Sequence, residues 1–383
     1  MNVVDLLADH RVVVCVGSGG VGKTTIAACL ALHGALGGRR AMVLTIDPAR
    51  RLAQSLGLTT LASGGETIDG ERLKAAGLEL SGSLAAGMLD QKSAWDEFIV
   101  RHAPNEELAR TILDNRFYQH LSQSFAGSTE YMAMEELGRI DESGLYDLII
   151  LDTPPSGHAV DFLEAPQRLA AFLDRSVVGW LVGPSVSVGW NAWKRASRGA
   201  RFLLRRVEDA TGIGTLTDIS DFFVAMEGLF DGIGDRTRKV QALLKAEGTA
   251  FVLVAGPEEQ VLGEADRLAA KMRELSMPLK GVVMNRVHEI PPGLDPEPAA
   301  QELAGLGERL VSNGASPGAV QWLLSNMRDY LVSANAEGAR REAFAADLGD
   351  EVVTTAVPEM EGDVHDLQGL SRLAHIIAQA GPI

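Results

Sequence analysis

A glycine-rich segment follows directly on an apolar run near the start of the chain. The run RVVVCV, residues 11–16, leads into the residues Gly17, Ser18, Gly19, Gly20, Val21, Gly22, Lys23, Thr24 and Thr25. They satisfy the pattern GxxxxGK[ST], in which glycines let consecutive backbone N–H groups face a phosphate without a clash from Cβ. The alternative is a chance glycine-rich turn, which the eight-residue match and its context disfavour. The sequence therefore predicts a strand, a phosphate-binding loop and a helix over about Lys23–Leu36.

Several residue types around this loop suit ATP and Mg²⁺. Lys23 is expected to reach the β- and γ-phosphates, Thr24 to ligate Mg²⁺ and Thr25 to bond the α-phosphate. Asp152 ends the apolar run LIILD and is expected to anchor the Mg²⁺ or its water shell, the alternative being a helix cap before Pro154. Asp47 ends AMVLTID and is expected beside the γ-phosphate, where it orients the attacking water. A capping role for Asp47 is compatible with that.

Six short apolar runs are typical of buried parallel strands, and each ends near a residue of chemical use. The runs are 11–16, 41–46, 148–151, 251–255, 281–284 and 352–357. Three longer stretches, 85–140, 160–247 and 300–348, look helical. The pattern predicts an α/β fold of the P-loop NTPase class with a mostly parallel central sheet flanked by helices. We expect one domain over 1–383, with an inserted helical subdomain at about 85–245.

Five segments together resemble one known family. They are GSGGVGKTT, TIDPARRL, DTPPSGH, VVMNRV and VPEMEGDVHDLQGL, and they resemble the family of arsenite-pump (ArsA) and tail-anchored-protein targeting ATPases, the anion-transporting ATPase class. The stretch FAGSTEYMAMEEL is most similar to bacterial members.

The resemblance also implies roles for individual residues. Asp47 would be the water-orienting switch residue, and the segment after Asp152 would be a second switch that senses the γ-phosphate. Asn285 would read the adenine edge, and Pro358 would lie against the base. From the residues alone, Asn285 is equally well a turn residue at a strand end, and a lone histidine such as His158 is more often structural.

Two departures from the family pattern bear on activity. The family loop begins Gly-Lys-Gly-Gly, and that lysine crosses a dimer interface to the partner's phosphates; here the position is Ser18. Groups of this kind contribute about 10³–10⁵ in rate, or about 4–7 kcal/mol of barrier. We therefore expect slow hydrolysis by the chain alone, unless a paralogous subunit, Arg50 or Arg51 supplies the cation.

The second departure concerns thiols. Cys15 and Cys29 are the two cysteines of the chain. They form no CxxC pair, and both are expected in the core, so arsenite transport and a zinc-joined dimer are not supported.

Charge and composition limit the partners. The formal net charge is −16, which disfavours nucleic acid. The uncharged stretch Ser176–Trp193 holds three of the five tryptophans and precedes six basic residues, which end at Arg206. A solvated basic helix face is the plainer interpretation of 176–206, and a surface for a hydrophobic client protein or an anionic membrane is the alternative. No basic-then-apolar leader opens the chain, so we expect a cytoplasmic protein, with peripheral contact to the inner membrane face as an option.

The function predicted from all this is a dimeric ATP-hydrolysing switch, formed with itself or with a paralogous subunit, that couples its nucleotide state to a partner or client. The alternative is a nucleotide-sensing scaffold with little or no ATPase activity. A DNA- or membrane-positioning ATPase is disfavoured because the C-terminal segment, 370–380, has Arg372 as its one permanent cation. An iron-protein reductase lacks its cluster cysteines here. Phosphoryl transfer to a small acid stays open.

Overall fold

A computed structural model describes residues 2–46, 51–58, 61, 65–124, 128–154, 222, 225, 235–290, 300–360 and 362–381. The described strands form one eight-stranded sheet in the order β3-β4-β2-β5-β1-β6-β7-β8. β3 pairs antiparallel with β4, and the remaining neighbours are parallel. The strands are β1 Val12–Gly17, β2 Arg40–Thr45, β3 Glu66–Thr67, β4 Ser83–Met88, β5 Leu148–Asp152, β6 Thr249–Ala255, β7 Leu279–Val287 and β8 Val353–Pro358.

Helices precede, separate and follow the strands. A short 3₁₀ helix, Val3–Asp5, comes first. The α-helices are α1 Leu6–Asp9, α2 Lys23–Leu36, α3 Arg51–Ser55, α4 Gly70–Ala75, α5 Gln91–His102, α6 Glu106–Leu113, α7 Arg116–Ser124, α8 Ser128–Ser143, α9 235–245, α10 Glu259–Glu274, α11 Ala300–Ser312, α12 Pro317–Leu348 and α13 Leu367–Gln379.

The sheet is covered by apolar residues on both faces. Alternate residues of β1 take part in two separate clusters, with Val12, Val14 and Val16 on one side and Val13 and Cys15 on the other. The first cluster includes side chains from α5, α8 and α10, and the second includes α2 and α13. Such two-sided burial is why the strands appear in the sequence as continuous apolar runs rather than as alternating patterns.

The topology brings the predicted site residues to one edge of the sheet. β1 lies between β5 and β6, and β2 lies on the far side of β5. Because neighbouring parallel strands end at the same edge, the loop after β1 lies beside Asp152 and the end of β2. β7 and β8 continue the same edge on the other side of β6.

The predicted fold class is confirmed, and so are the six predicted strands, whose ends differ from the observed ones by no more than three residues. One prediction was wrong: residues 85–88 were assigned to a helical stretch, but they belong to β4. The segment SLAAGM holds two alanines and no β-branched residue, so its local propensity does not favour a strand. Its place between β2 and β3 decides its structure.

The helical stretches are otherwise present where residues are described. α5 to α8 fill the interval between β4 and β5, α9 precedes β6, and α11 and α12 account for 300–348. The single domain and the limits of the inserted subdomain stay predictions, with the start now placed after β4. In the part of the chain that the structure describes, none of the helices has the length and apolarity to span a bilayer.

Candidate nucleotide site

The phosphate loop closely approaches the backbone of β6 and a side chain of β7. Gly17 has φ of 150°, and a Cβ there would lie 2.0 Å from the carbonyl oxygen of Val254. Gly22 has φ of 93°, and its Cβ would lie 2.5 Å from Nδ2 of Asn285. Both positions therefore require glycine, and Gly22 ends the loop where α2 begins.

The loop lysine is buried and lies over the loop itself. Lys23 is 7% exposed, and its Nζ donates to the carbonyl oxygen of Ser18 at 2.7 Å. The Ser18 hydroxyl donates in turn to Oε2 of Glu264, on α10, at 2.6 Å. Ser18 thus joins the loop to α10 through its side chain and to Lys23 through its backbone.

Two threonine hydroxyls, one at the start of α2 and one at the end of β2, meet a buried carboxylate at the end of β5. Thr24 Oγ1 donates to Oδ2 of Asp152 at 2.7 Å, and Thr45 Oγ1 donates to the same oxygen at 2.8 Å. Asp152 is fully buried. Hydroxyl and carboxylate oxygens are the donor set that Mg²⁺ prefers, so Thr24 and Asp152 fit the predicted metal site in chemistry and in proximity. Thr45 is a member of this cluster that the sequence did not single out.

A cleft of about 780 Å³ extends from the phosphate loop to the ends of β7 and β8. The cleft brings together the predicted phosphate and adenine residues, since its walls include Lys23, Thr24, Thr25, Asn285 and Pro358. Nδ2 of Asn285 donates to the Val21 carbonyl oxygen at 2.8 Å, so the amide also fixes the loop. The opposite wall is formed by the segment after β8, which includes Glu359, Met360 and Asp363.

Arg286 also lines this cleft, and sequence reasoning missed it. Its φ of 60° is unusual for a residue other than glycine, and it lies where the pairing of β7 with β8 shifts register. A bulge of this kind commonly redirects a side chain near a site, but no sequence pattern announces it.

Other predicted residues lie outside the described residues. They are Asp47, Arg50, His158 and the whole of 176–206; of Arg51 the structure describes the backbone. Thr153, directly after Asp152, lines the cleft, and its hydroxyl donates to the carbonyl oxygen of Cys15 at 2.8 Å.

Both cysteines are buried in the core, as predicted. Burial raises the pKa of the Cys15 thiol, and the negative charge of Asp152 adds to the shift. Burial also raises the pKa of Cys29. Since a thiolate is the form that binds metals and metalloids, these protonated thiols are poor ligands.

Comparison with known proteins finds similarity to one family. Residues 10–182 match the model of the family described as anion-transporting ATPase. Over this part of its length the chain is similar to the anion-transporting ATPases. It is 26% identical over 280 residues to "ATPase GET3" of Malassezia globosa, with 73% of each chain covered. It is 26% identical over 278 residues to "ATPase ASNA1 homolog 1" of Paramecium tetraurelia, covering 71% of this chain and 73% of that one.

A relative named for an arsenical pump has a similar level of identity. The chain is 24% identical over 287 residues to "Putative arsenical pump-driving ATPase 1" of Aquifex aeolicus, covering 72% of this chain and 63% of that protein. The predicted resemblance and the prediction of a P-loop ATPase family are confirmed. The likeness to bacterial members stays a prediction.

Proposed function

We propose that the chain binds Mg-ATP in this cleft, hydrolyses it slowly, and couples the state of the nucleotide to a partner. The observation that carries the proposal is the convergence of Thr24, which follows the phosphate-loop lysine, and of Thr45 on Asp152. Two strand ends and one helix start contribute to this cluster, so the arrangement is built by the fold and not by one motif. The same edge of the sheet is where open α/β proteins bind their ligands.

The triphosphate would lie on the amides of the loop and at the start of α2. Lys23 would leave the Ser18 carbonyl and reach the β- and γ-phosphates, exchanging a neutral acceptor for a charged one. The nucleoside would extend towards β7 and β8. There Asn285 can use its remaining amide groups on the adenine edge, while Pro358 packs on the face of the base.

Thr24 and Asp152 would hold Mg²⁺, either directly or through its water shell. When bound, the ion neutralises charge on the β- and γ-phosphates and fixes their position. The contribution of the chain is orientation: Thr45 and Thr24 hold the Asp152 carboxylate in one position before any ligand arrives.

Hydrolysis would use one water molecule. Its oxygen forms a bond to the γ-phosphorus, the bond from that phosphorus to the β–γ bridging oxygen breaks, and ADP leaves with those electrons. The proton of the water passes to phosphate or to solvent. Asp47 is proposed to orient this water. An Asp47→Asn variant should bind ATP with unchanged affinity and release phosphate at least tenfold more slowly.

The proposed partners are those that the resemblance to the ATPase family implies. A dimer, with a second copy or a paralogous subunit, would close on ATP and open after hydrolysis, and segment 176–206 would contact a client protein or an anionic membrane. Flotation with anionic vesicles in both nucleotide states tests the membrane version. Chemical cross-linking between subunits, in the presence of ATP or of ADP, tests the dimer.

A second candidate function is a nucleotide-sensing scaffold with little ATPase activity. The contact that favours it is the bond of 2.6 Å from Ser18 to Glu264. It places a carboxylate beside the position that carries a lysine in the family, so this position supplies no positive charge to any phosphate.

Calorimetric titration with Mg-ATP, followed by phosphate release at saturating ATP, tests both candidates. We expect binding for the parent protein and for Lys74→Ala, an exposed control on α4. Lys23→Ala should bind at least tenfold more weakly. Equal binding by Lys23→Ala and the parent would disprove the nucleotide site, and binding without phosphate release would favour the scaffold.

A further inference from the structure

A buried glutamate lies on α12, the longest of the helices that the structure describes, and forms hydrogen bonds with one histidine. Glu337 of α12 is 6% exposed. Nδ1 of His288 lies 2.9 Å and 3.0 Å from its two carboxylate oxygens, and the backbone N–H of His288 donates to Oε2 at 3.3 Å. A buried carboxylate is costly without such donors, so this side chain depends on His288 for its place in the core.

The other ring nitrogen of His288 faces the nucleotide cleft. Nε2 lies 3.3 Å from Oε2 of Glu359, which lines the cleft next to Pro358. The backbone N–H of Glu359 donates to the Val287 carbonyl oxygen at 3.1 Å. The ring thus lies between two carboxylates, one on α12 and one at the wall of the cleft.

The ring is also held from a second position on α12. Tyr330 packs edge-on against His288, with ring centroids 5.4 Å apart and planes at 89°. The Tyr330 hydroxyl donates to the carbonyl oxygen of Glu289 at 2.8 Å. Tyr330 and Glu337 are seven residues apart, or two helical turns, so both lie on one face of α12.

We propose that His288 is a positioning residue for the nucleoside half of the ligand. It joins the segment Pro358–Met360, one wall of the cleft, to α12 and so sets the width of the cleft where the base lies. The inference rests on the proposed function, because it takes the nucleoside to lie at this wall.

The expected effect is selective for ligands that carry a nucleoside. The phosphate loop receives its own contacts from Asn285, Glu264 and Asp152 and has none with His288 among the bonds that the structure describes. Loss of the imidazole should therefore release the wall after β8 and leave the phosphate site in place. ADP and ATP should bind more weakly, while tripolyphosphate should not.

The test compares the dissociation constants of ADP and tripolyphosphate, each with Mg²⁺, in His288→Ala, His288→Gln and Glu337→Gln. We expect His288→Ala to weaken ADP about tenfold and to change tripolyphosphate less than twofold. His288→Gln keeps one donor and should lose about half as much on a logarithmic scale. His375→Ala, an exposed histidine on α13, is the matched control and should behave like the parent.

If ADP binds His288→Ala within twofold of the parent, or if both ligands weaken equally, the positioning role is wrong. If His288→Ala fails to fold, Glu337→Gln carries the test, with a selective loss for ADP supporting the role and no loss overturning it. A parent protein that binds neither ligand refutes the proposed function itself, and this inference with it.

Discussion

The two halves of the cleft are built in different ways. The phosphate half consists of one continuous segment, 17–25, with Asp152 and Thr45 brought to it by the two nearest strands on that side. The nucleoside half is assembled from Asn285, Arg286 and the segment after β8, to which α12 is joined through His288. The first half depends on local backbone geometry, and the second depends on contacts between residues far apart in sequence. Substitutions should therefore act sharply in the first half and by degrees in the second.

The largest expected effect concerns the phosphate half. Asp152→Asn removes the charge on which Thr24 and Thr45 converge and should lower the rate of phosphate release by about 10²–10³-fold, since a Lewis-acid metal contributes several kcal/mol and each 1.36 kcal/mol is tenfold. ATP binding should also lose most of its dependence on Mg²⁺. The measurement is phosphate release and ATP affinity over a magnesium series.

Asp147→Asn is the control for this variant. It lies in the turn before β5, at the other end of the same strand, where it binds Arg39 and Arg40. It should lower the melting temperature and leave the magnesium dependence as in the parent. If Asp152→Asn kept the parental response to magnesium, the two halves would not differ as described.

An intermediate effect is expected where the loop meets α10. A lysine at position 18 would lie beside the Glu264 carboxylate and form an ion pair within the chain. Ser18→Lys alone should therefore change the rate of phosphate release less than about threefold. The double variant Ser18→Lys, Glu264→Gln removes the carboxylate that would pair with the new ammonium group. It should release phosphate at least about tenfold faster than the single variant, because a finger cation contributes about 10³–10⁵-fold in rate.

Glu264→Gln alone and Glu274→Gln, on the exposed end of the same helix, complete this set. Both should hydrolyse ATP at close to the parental rate. A single Ser18→Lys variant as fast as the double would mean that Glu264 does not restrain the lysine.

A smaller effect than that of Asp152→Asn is expected at the residue that touches both halves. Asn285→Ala removes one hydrogen bond to Val21 and the amide proposed for the adenine edge. At about 1 kcal/mol for each bond, ATP should bind roughly five- to thirtyfold more weakly. Tripolyphosphate should lose no more than about fivefold, and calorimetry with the two ligands measures the difference. Equal losses would show that Asn285 acts through the loop alone.

The residues predicted for the phosphate half lie together in the structure, and the sequence could single them out because most of them are contiguous. The pattern from Gly17 to Thr25 and the aspartate at the end of β5 can be recognised in the sequence without knowledge of the fold. Thr45 was missed because a threonine before Ile46 looks like any strand residue, and Glu264 because helix acids are usually solvated. Only the fold shows that Thr45 reaches Asp152 and that Glu264 reaches Ser18.

The nucleoside half could be predicted only by resemblance, and then only for Asn285 and Pro358. His288 and Glu337 are 49 residues apart, and neither belongs to a motif. The strand β4 was missed for a related reason: its small residues have no preference for a strand, and its neighbours impose one. Local propensity yields to tertiary context at such positions.

The contact between Gly22 and Asn285 has a consequence for the engineering of this chain. Only 2.5 Å would separate a Cβ at position 22 from the amide nitrogen on β7, so a library that adds a side chain at position 22, or a larger one at position 285, will recover few active clones. Substitutions at position 285 that change base preference and substitutions in the phosphate loop must then be designed together. Swapping β7 in from a relative with a bulkier residue at position 285 should block the loop before any ligand is chosen.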